Sequence, residues 1–96
     1  MFTVKHKSSR SSTQFYDSYF DITGVPTNNH NTIVISEALN DKLSKYGDEA
    51  FSPKPNDSSY TIFVRSYLSD EIFKDKAALE AYILERLISS SSKFMD

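Results

Sequence analysis

The chain has 96 residues, of which 39% are hydrophobic and 25% charged, and its net charge at pH 7 is −2. This composition predicts one compact domain over residues 1–96, with no overall attraction to nucleic acid or to an anionic membrane. Cysteine is absent and glycine occurs only at Gly24 and Gly47, which excludes thiolate chemistry, cysteine-based zinc sites and glycine-rich phosphate-binding loops.

The first predicted element is a half-buried strand at residues 2–7, where apolar and polar residues alternate. Residues 8–12 are small and polar, and they predict a loop. Lys5, Lys7 and Arg10 give the first ten residues a charge of +3. These residues therefore predict a basic amino-terminal arm, which would contact phosphates if the protein binds nucleic acid.

A second strand is predicted at residues 15–22, which are rich in aromatic side chains. The strand period of two assigns its side chains to two faces. One face consists of Tyr16, Ser18, Phe20 and Ile22, and the other of Phe15, Asp17, Tyr19 and Asp21. Residues 24–31 are dense in turn-forming residues and predict an exposed connection.

Residues 32–46 predict a short strand followed by a helix. Residues 32–35 are rich in β-branched side chains, and Ser36 follows at the position of a helix N-cap. An apolar stripe with helical spacing comes next and consists of Leu39, Leu43 and Tyr46. Gly47 follows directly, where a left-handed residue commonly ends a helix.

The prolines of the next segment predict a loop at residues 51–58, because Pro53 and Pro55 are unsuited to a central strand. Residues 60–68 then predict a strand with apolar side chains on both faces, which favours a central position in the sheet. On one of these faces lie Phe63, Arg65 and Tyr67.

The last predicted element is a helix from residue 75 to about residue 90, with Asp75 as its N-cap. Its apolar stripe consists of Leu79, Ile83 and Leu87. Residues 89–96 are expected to form a frayed tail.

The elements together predict an α+β fold with the order β-β-β-α-β-α. We expect a small antiparallel sheet of about four strands, with both helices packed on one face. The other face of the sheet would then be uncovered. It would carry Phe15, Asp17, Tyr19, Asp21, Phe63, Arg65 and Tyr67.

This uncovered face predicts a non-catalytic protein-binding function, of the kind served by small accessory or inhibitor proteins in phages and mobile elements. The aromatic side chains would anchor the partner, and Asp17 and Asp21 would favour a basic one. For Asp17 and Asp21 taken by themselves, the favoured interpretation is the solvated side of an amphipathic strand. A second copy of the chain is an alternative partner for the same face.

Two other functions are weighed against this one. The first is nucleic-acid binding through Lys5, Lys7 and Arg10. The second is ribonuclease activity, with His6 and His30 as general acid and base beside Lys5 or Lys7. The sequence predicts no catalytic, cofactor or metal site and no membrane partner. Its lack of cysteine and of an apolar amino-terminal leader predicts a cytoplasmic protein.

Overall fold

The computed structural model describes residues 1–47 and 50–96. It confirms an α+β fold in which a four-stranded antiparallel sheet is combined with two helices. The elements are β1 (Thr3–Ser11), β2 (Phe15–Thr23), α1 (Asn29–Leu39), β3 (Phe51–Pro55), β4 (Tyr60–Tyr67) and α2 (Lys76–Ser89), with short 3₁₀ helices at Glu71–Lys74 and Ser91–Lys93. Their order is β-β-α-β-β-α, which differs from the predicted order in the middle of the chain.

The strands lie side by side in the order β1-β2-β4-β3, so β2 and β4 are central and β1 and β3 are the edges. Strand β2 pairs with β4 from Phe15 opposite Tyr67 to Ile22 opposite Tyr60. The register of β1 against β2 shifts at a β-bulge between His6 and Ser8. Helix α1 packs beside β3 and helix α2 beside β1, and both lie on the same face of the sheet.

Residues 32–35 belong to helix α1 and not to a strand. Asn28 begins the helix from an extended conformation, and its Oδ1 accepts a hydrogen bond from the Asn31 backbone N–H at 2.7 Å. The buried positions then recur with helical spacing and are Asn31, Val34, Ile35, Ala38 and Leu39. Burial of this stripe outweighs the strand preference of the β-branched residues, which amounts to a fraction of a kilocalorie per residue.

Helix α1 ends at Leu39, so Gly47 does not close it as predicted. Asn40 is the C-cap, and its backbone N–H donates to the Ser36 carbonyl. Gly47 lies in a later turn with φ +75°, where its N–H donates to the Ser44 carbonyl at 3.1 Å. Leu43 is 89% exposed and contributes nothing to the core.

Strand β3 occupies a segment that was predicted to be a loop. Its prolines are compatible with a strand because β3 is an edge, where one side of the backbone needs no strand partner. Asn40 fixes the start of β3 by accepting from the Phe51 N–H at 2.9 Å and donating to the Phe51 carbonyl at 2.8 Å.

The core lies between the sheet and the two helices. The predicted stripe of α2 is confirmed, since its three residues are fully buried. The fully buried side chains of the core include Phe20, Ile22, Ile35, Leu39, Tyr60, Ile62, Leu79, Ile83 and Leu87. Helix α2 also provides hydrogen-bond donors for the free carbonyls at the end of α1. The Tyr82 hydroxyl donates to the Leu39 carbonyl at 2.7 Å, and Arg86 Nε donates to the Ala38 carbonyl at 2.7 Å.

The carboxyl-terminal residues, for which the sequence predicts fraying, contact the start of the fold. Asn31 is fully buried and bonds both the N–H and the carbonyl of Met95. The Phe94 ring meets the Phe2 ring edge-on, with 5.5 Å between centroids. None of the helices in the described part of the chain has the length and apolar character needed to cross a membrane.

Candidate functional site

The candidate site is the face of the sheet opposite the helices, which we call the open face. Alternation along the paired strands places four cross-strand pairs of β2 and β4 on it. In order along the strands, these pairs are Phe15–Tyr67, Asp17–Arg65, Tyr19–Phe63 and Asp21–Thr61. The structure therefore brings together all seven residues that the sequence predicts for this face.

Two aromatic pairs form the apolar part of the open face. The ring centroids of Phe15 and Tyr67 lie 5.5 Å apart with an interplanar angle of 30°, and those of Tyr19 and Phe63 lie 5.2 Å apart with an angle of 37°. Tyr67 is 65% exposed, and the other three side chains are half-buried. Their positions on the two central strands hold the rings in a fixed arrangement at the surface.

An ion pair separates the two aromatic pairs. Arg65 donates from Nε to Asp17 Oδ1 and from Nη2 to Asp17 Oδ2, both at 2.9 Å. The Arg65 guanidinium also lies over the rings of Phe15 and Phe63, at 4.7 and 5.5 Å from their centroids. This hydrogen bonding lowers the pKa of the Asp17 carboxyl and raises the pKa of Arg65.

The two acids of the open face are therefore engaged by its other side chains. Asp17 lies on the solvent-facing side of β2, but its side chain is covered by its neighbours on that face and is only 5% exposed. Asp21 Oδ1 accepts a hydrogen bond from the Thr61 hydroxyl at 3.3 Å. On its other side, Asp21 is paired with Lys5 of the adjacent strand β1.

The predicted basic arm is part of the sheet. Strand β1 continues to Ser11, and the pairing of Lys5 with Asp21 and of Arg10 with Asp17 places both bases on the open face. Lys7 is the extra residue of the β-bulge and is exposed beside them. On the other edge, Lys54 of β3 lies opposite Thr61 and is also exposed.

The open face is consequently basic, although the sequence predicts an acidic surface. It carries five basic and two acidic side chains, a net charge of +3, while the rest of the chain carries −5. Within the described residues, no salt bridge engages the four bases at its margins, which are Lys5, Lys7, Arg10 and Lys54. Lys54 is the residue that the sequence prediction misses, because its position between two prolines predicts a loop.

The histidines proposed for ribonuclease chemistry lie apart. His6 points into the core side of β1, where its Nε2 is 2.7 Å from Ser9 Oγ and its ring lies 5.3 Å from that of Phe20. Lys5 projects from the opposite face of the same strand. His30 belongs to α1, and its Nε2 bonds the Lys93 carbonyl at 2.8 Å. The structure does not assemble these residues into one site.

Other features of the molecule offer less chemistry than the open face. A cavity of about 260 Å³ lies between the helices and is lined by residues that include Val34, Ala38 and Arg86. Within residues 1–47 and 50–96, no cluster of three His, Asp or Glu side chains has a geometry suited to a metal ion. Comparison of the chain with protein-family models, curated proteins and solved structures finds no match.

Proposed function

We propose that this chain is a non-catalytic binding protein that captures a macromolecular partner on its open face and acts in the cytoplasm as an accessory or inhibitor protein. The observation that carries this proposal is the pair of aromatic contacts, Phe15–Tyr67 and Tyr19–Phe63, at the surface of the two central strands. The lack of cysteine suits a reducing compartment.

The residue types at the centre of this face are those that carry binding energy in known interfaces. Tyr and Arg are enriched among the residues whose truncation costs most binding energy, and aromatic side chains are enriched at interfaces generally. Arg65 is already oriented by Asp17 and by two rings, so little side-chain entropy is lost when a partner binds.

The charge of the open face disfavours a second copy of the chain as the partner. A face-to-face dimer would place one surface of charge +3 against another, and juxtaposed like charges weaken association. The proposed partner is therefore a different molecule.

The proposal is tested by affinity capture from extracts of the source cells with the Tyr19→Ala/Tyr67→Ala variant. We expect this variant to lose at least tenfold in partner recovery, because two interface anchors together contribute more than about 1.4 kcal/mol. The matched control is Ile33→Ala/Ile88→Ala, which removes two exposed apolar side chains from the helices.

Thermal melting by circular dichroism verifies that both double variants remain folded. Equal recovery with the wild type and the folded Tyr19→Ala/Tyr67→Ala variant would show that the open face is not the binding surface.

A further inference from the structure

We propose that the partner of the open face is a single-stranded nucleic acid. This inference rests on the proposed function, since it assigns a chemical class to the ligand of the same surface. It is carried by two observations, the arrangement of bases along the margins and the aromatic side chains between them.

The bases follow a line beside the aromatic pairs. Lys5, Lys7 and Arg10 lie along β1, and the separation of five residues between the first and the last spans about 17 Å of extended strand. Lys54 lies on the opposite margin. A line of cations alongside an apolar strip matches a polymer that carries one phosphate per unit on one side and its bases on the other.

The aromatic pairs and Arg65 provide planar groups at successive levels of the sheet. Cross-strand pairs on one face repeat every second residue, so adjacent levels lie about 6.6 Å apart along the strands. Tyr19 with Phe63, the Arg65 guanidinium, and Phe15 with Tyr67 occupy three such levels. Aromatic rings and guanidinium planes are the groups on which proteins stack unpaired bases.

Single strands fit this surface better than a duplex does. The faces of bases in a duplex are covered by their neighbours, and sequence in the major groove is read by a protruding helix or ribbon. The open face is built from strands alone, and both helices of the described chain lie on its reverse side. An acidic protein would also satisfy the marginal charges and pack against the rings. The repetition of planar groups beside a line of cations favours a polymer in which bases and phosphates repeat together.

The first test is fluorescence anisotropy with labelled oligo(dT) and oligo(rU) of 12 nucleotides. Four marginal cations predict a slope of about −2.8 for log affinity against log salt, or about 50-fold weaker binding at 200 mM than at 50 mM salt. Both oligonucleotides are expected to bind, because phosphates and base faces are common to DNA and RNA.

Removal of two marginal charges is expected to change the salt dependence. The Lys5→Ala/Lys7→Ala variant should reduce the slope to about −1.4, since two phosphate contacts are lost. The control Lys42→Ala/Lys93→Ala removes the same charge from exposed positions after the two helices and should retain the wild-type slope.

Stacking is tested at the most exposed ring. Tyr67→Leu keeps an apolar side chain and is expected to weaken binding about fivefold or more, whereas Tyr67→Phe should bind more tightly than Tyr67→Leu because it keeps a ring. Equal affinity of the two variants would argue against stacking.

The inference is overturned if neither oligonucleotide binds at 20 mM salt, if a duplex of the same length binds more tightly, or if the Lys5→Ala/Lys7→Ala variant keeps the wild-type slope. Binding of polyglutamate without binding of oligonucleotides would assign the face to an acidic protein. Capture from extracts that resists nuclease but requires Tyr19 and Tyr67 would likewise overturn this inference while supporting the proposed function.

Discussion

At the scale of single residues, the Asp17–Arg65 pair determines the character of the open face. The alternation of β2 correctly predicts that Asp17 lies on this face, but its neutralisation depends on a partner 48 positions away in the chain. Because Arg65 binds both carboxylate oxygens, Asp17 repels an anionic ligand much less than a free acid would. This pairing removes one of the two acids on which the predicted preference for a basic partner rests, and the four marginal bases reverse that preference.

The pair also makes stability depend on pH. The folded-state pKa of Asp17 is lowered, so the stabilisation is fully present above the ordinary aspartate pKa, about 3.9, and is lost as pH falls through the folded value. We expect Asp17→Asn to have a lower Tm than the wild type at pH 7, and this gap should narrow below pH ~4.

Melting curves between pH 2 and pH 7 measure the gap. Asp57→Asn, at an exposed acid, is the control and should show little difference from the wild type at any pH. A gap for Asp17→Asn that stays constant into acid would contradict the role given to the Asp17 carboxylate.

At the scale of elements, periodicity predicts some segments well and misses others for physical reasons. Strands β2 and β4 and helix α2 follow from their patterns, and so does the aromatic part of the open face. The prediction for residues 32–35 is wrong because these residues favour a strand locally, while Asn28 and the packing of the buried stripe impose helix α1. The bases at the margins lie on the open face because β1 extends past Arg10 and because residues 51–55 form β3. Both strands depend on pairing with residues distant in the chain.

The assignment of α1 leads to a prediction about its cap. Asn28→Ala should cost about 0.5–2 kcal/mol of unfolding free energy because the Asn31 N–H loses its acceptor, whereas Asn28→Ser retains a capping oxygen and should cost less. Urea denaturation measures these values. Ser36→Ala is the contrasting variant. Because Ser36 lies inside α1, we expect this change to alter the free energy of unfolding by no more than about 0.5 kcal/mol. If Ser36 were the N-cap, Ser36→Ala would be the more costly of the two alanine changes.

At the scale of the whole molecule, contacts between distant parts of the chain join the carboxyl terminus to the start of α1. Asn31 bonds the Pro26 carbonyl at 2.8 Å and the Met95 carbonyl at 2.7 Å, and its Oδ1 accepts from the Met95 N–H at 2.9 Å. Residues 90–96 give no signal of this docking in the sequence, because the partner is a buried amide in another element.

Replacement of this amide is expected to destabilise the entire fold. Asn31→Ala removes a fully buried amide and its three hydrogen bonds to the Pro26 and Met95 backbone, and should lower the free energy of unfolding by about 1–3 kcal/mol, measured by urea denaturation. Asn29→Ala, at an exposed neighbouring position, is the control. Proteolysis within residues 90–96 of the folded Asn31→Ala variant should also become faster, and unchanged stability and proteolysis would exclude this role for Asn31.

The prolines of β3 have a consequence for the behaviour of many copies at high concentration. The backbone nitrogens that point away from β4 belong to Phe51, Pro53 and Pro55. The Phe51 N–H already donates to Asn40, and the two proline nitrogens carry no hydrogen. At the opposite edge, Glu80 accepts the His6 N–H of β1 at 2.5 Å beside the β-bulge. The β3 edge of the sheet therefore resists the strand-by-strand addition that leads to fibrils, and the bulge and Glu80 interrupt the β1 edge at His6. These features limit aggregation of a protein with an exposed aromatic surface.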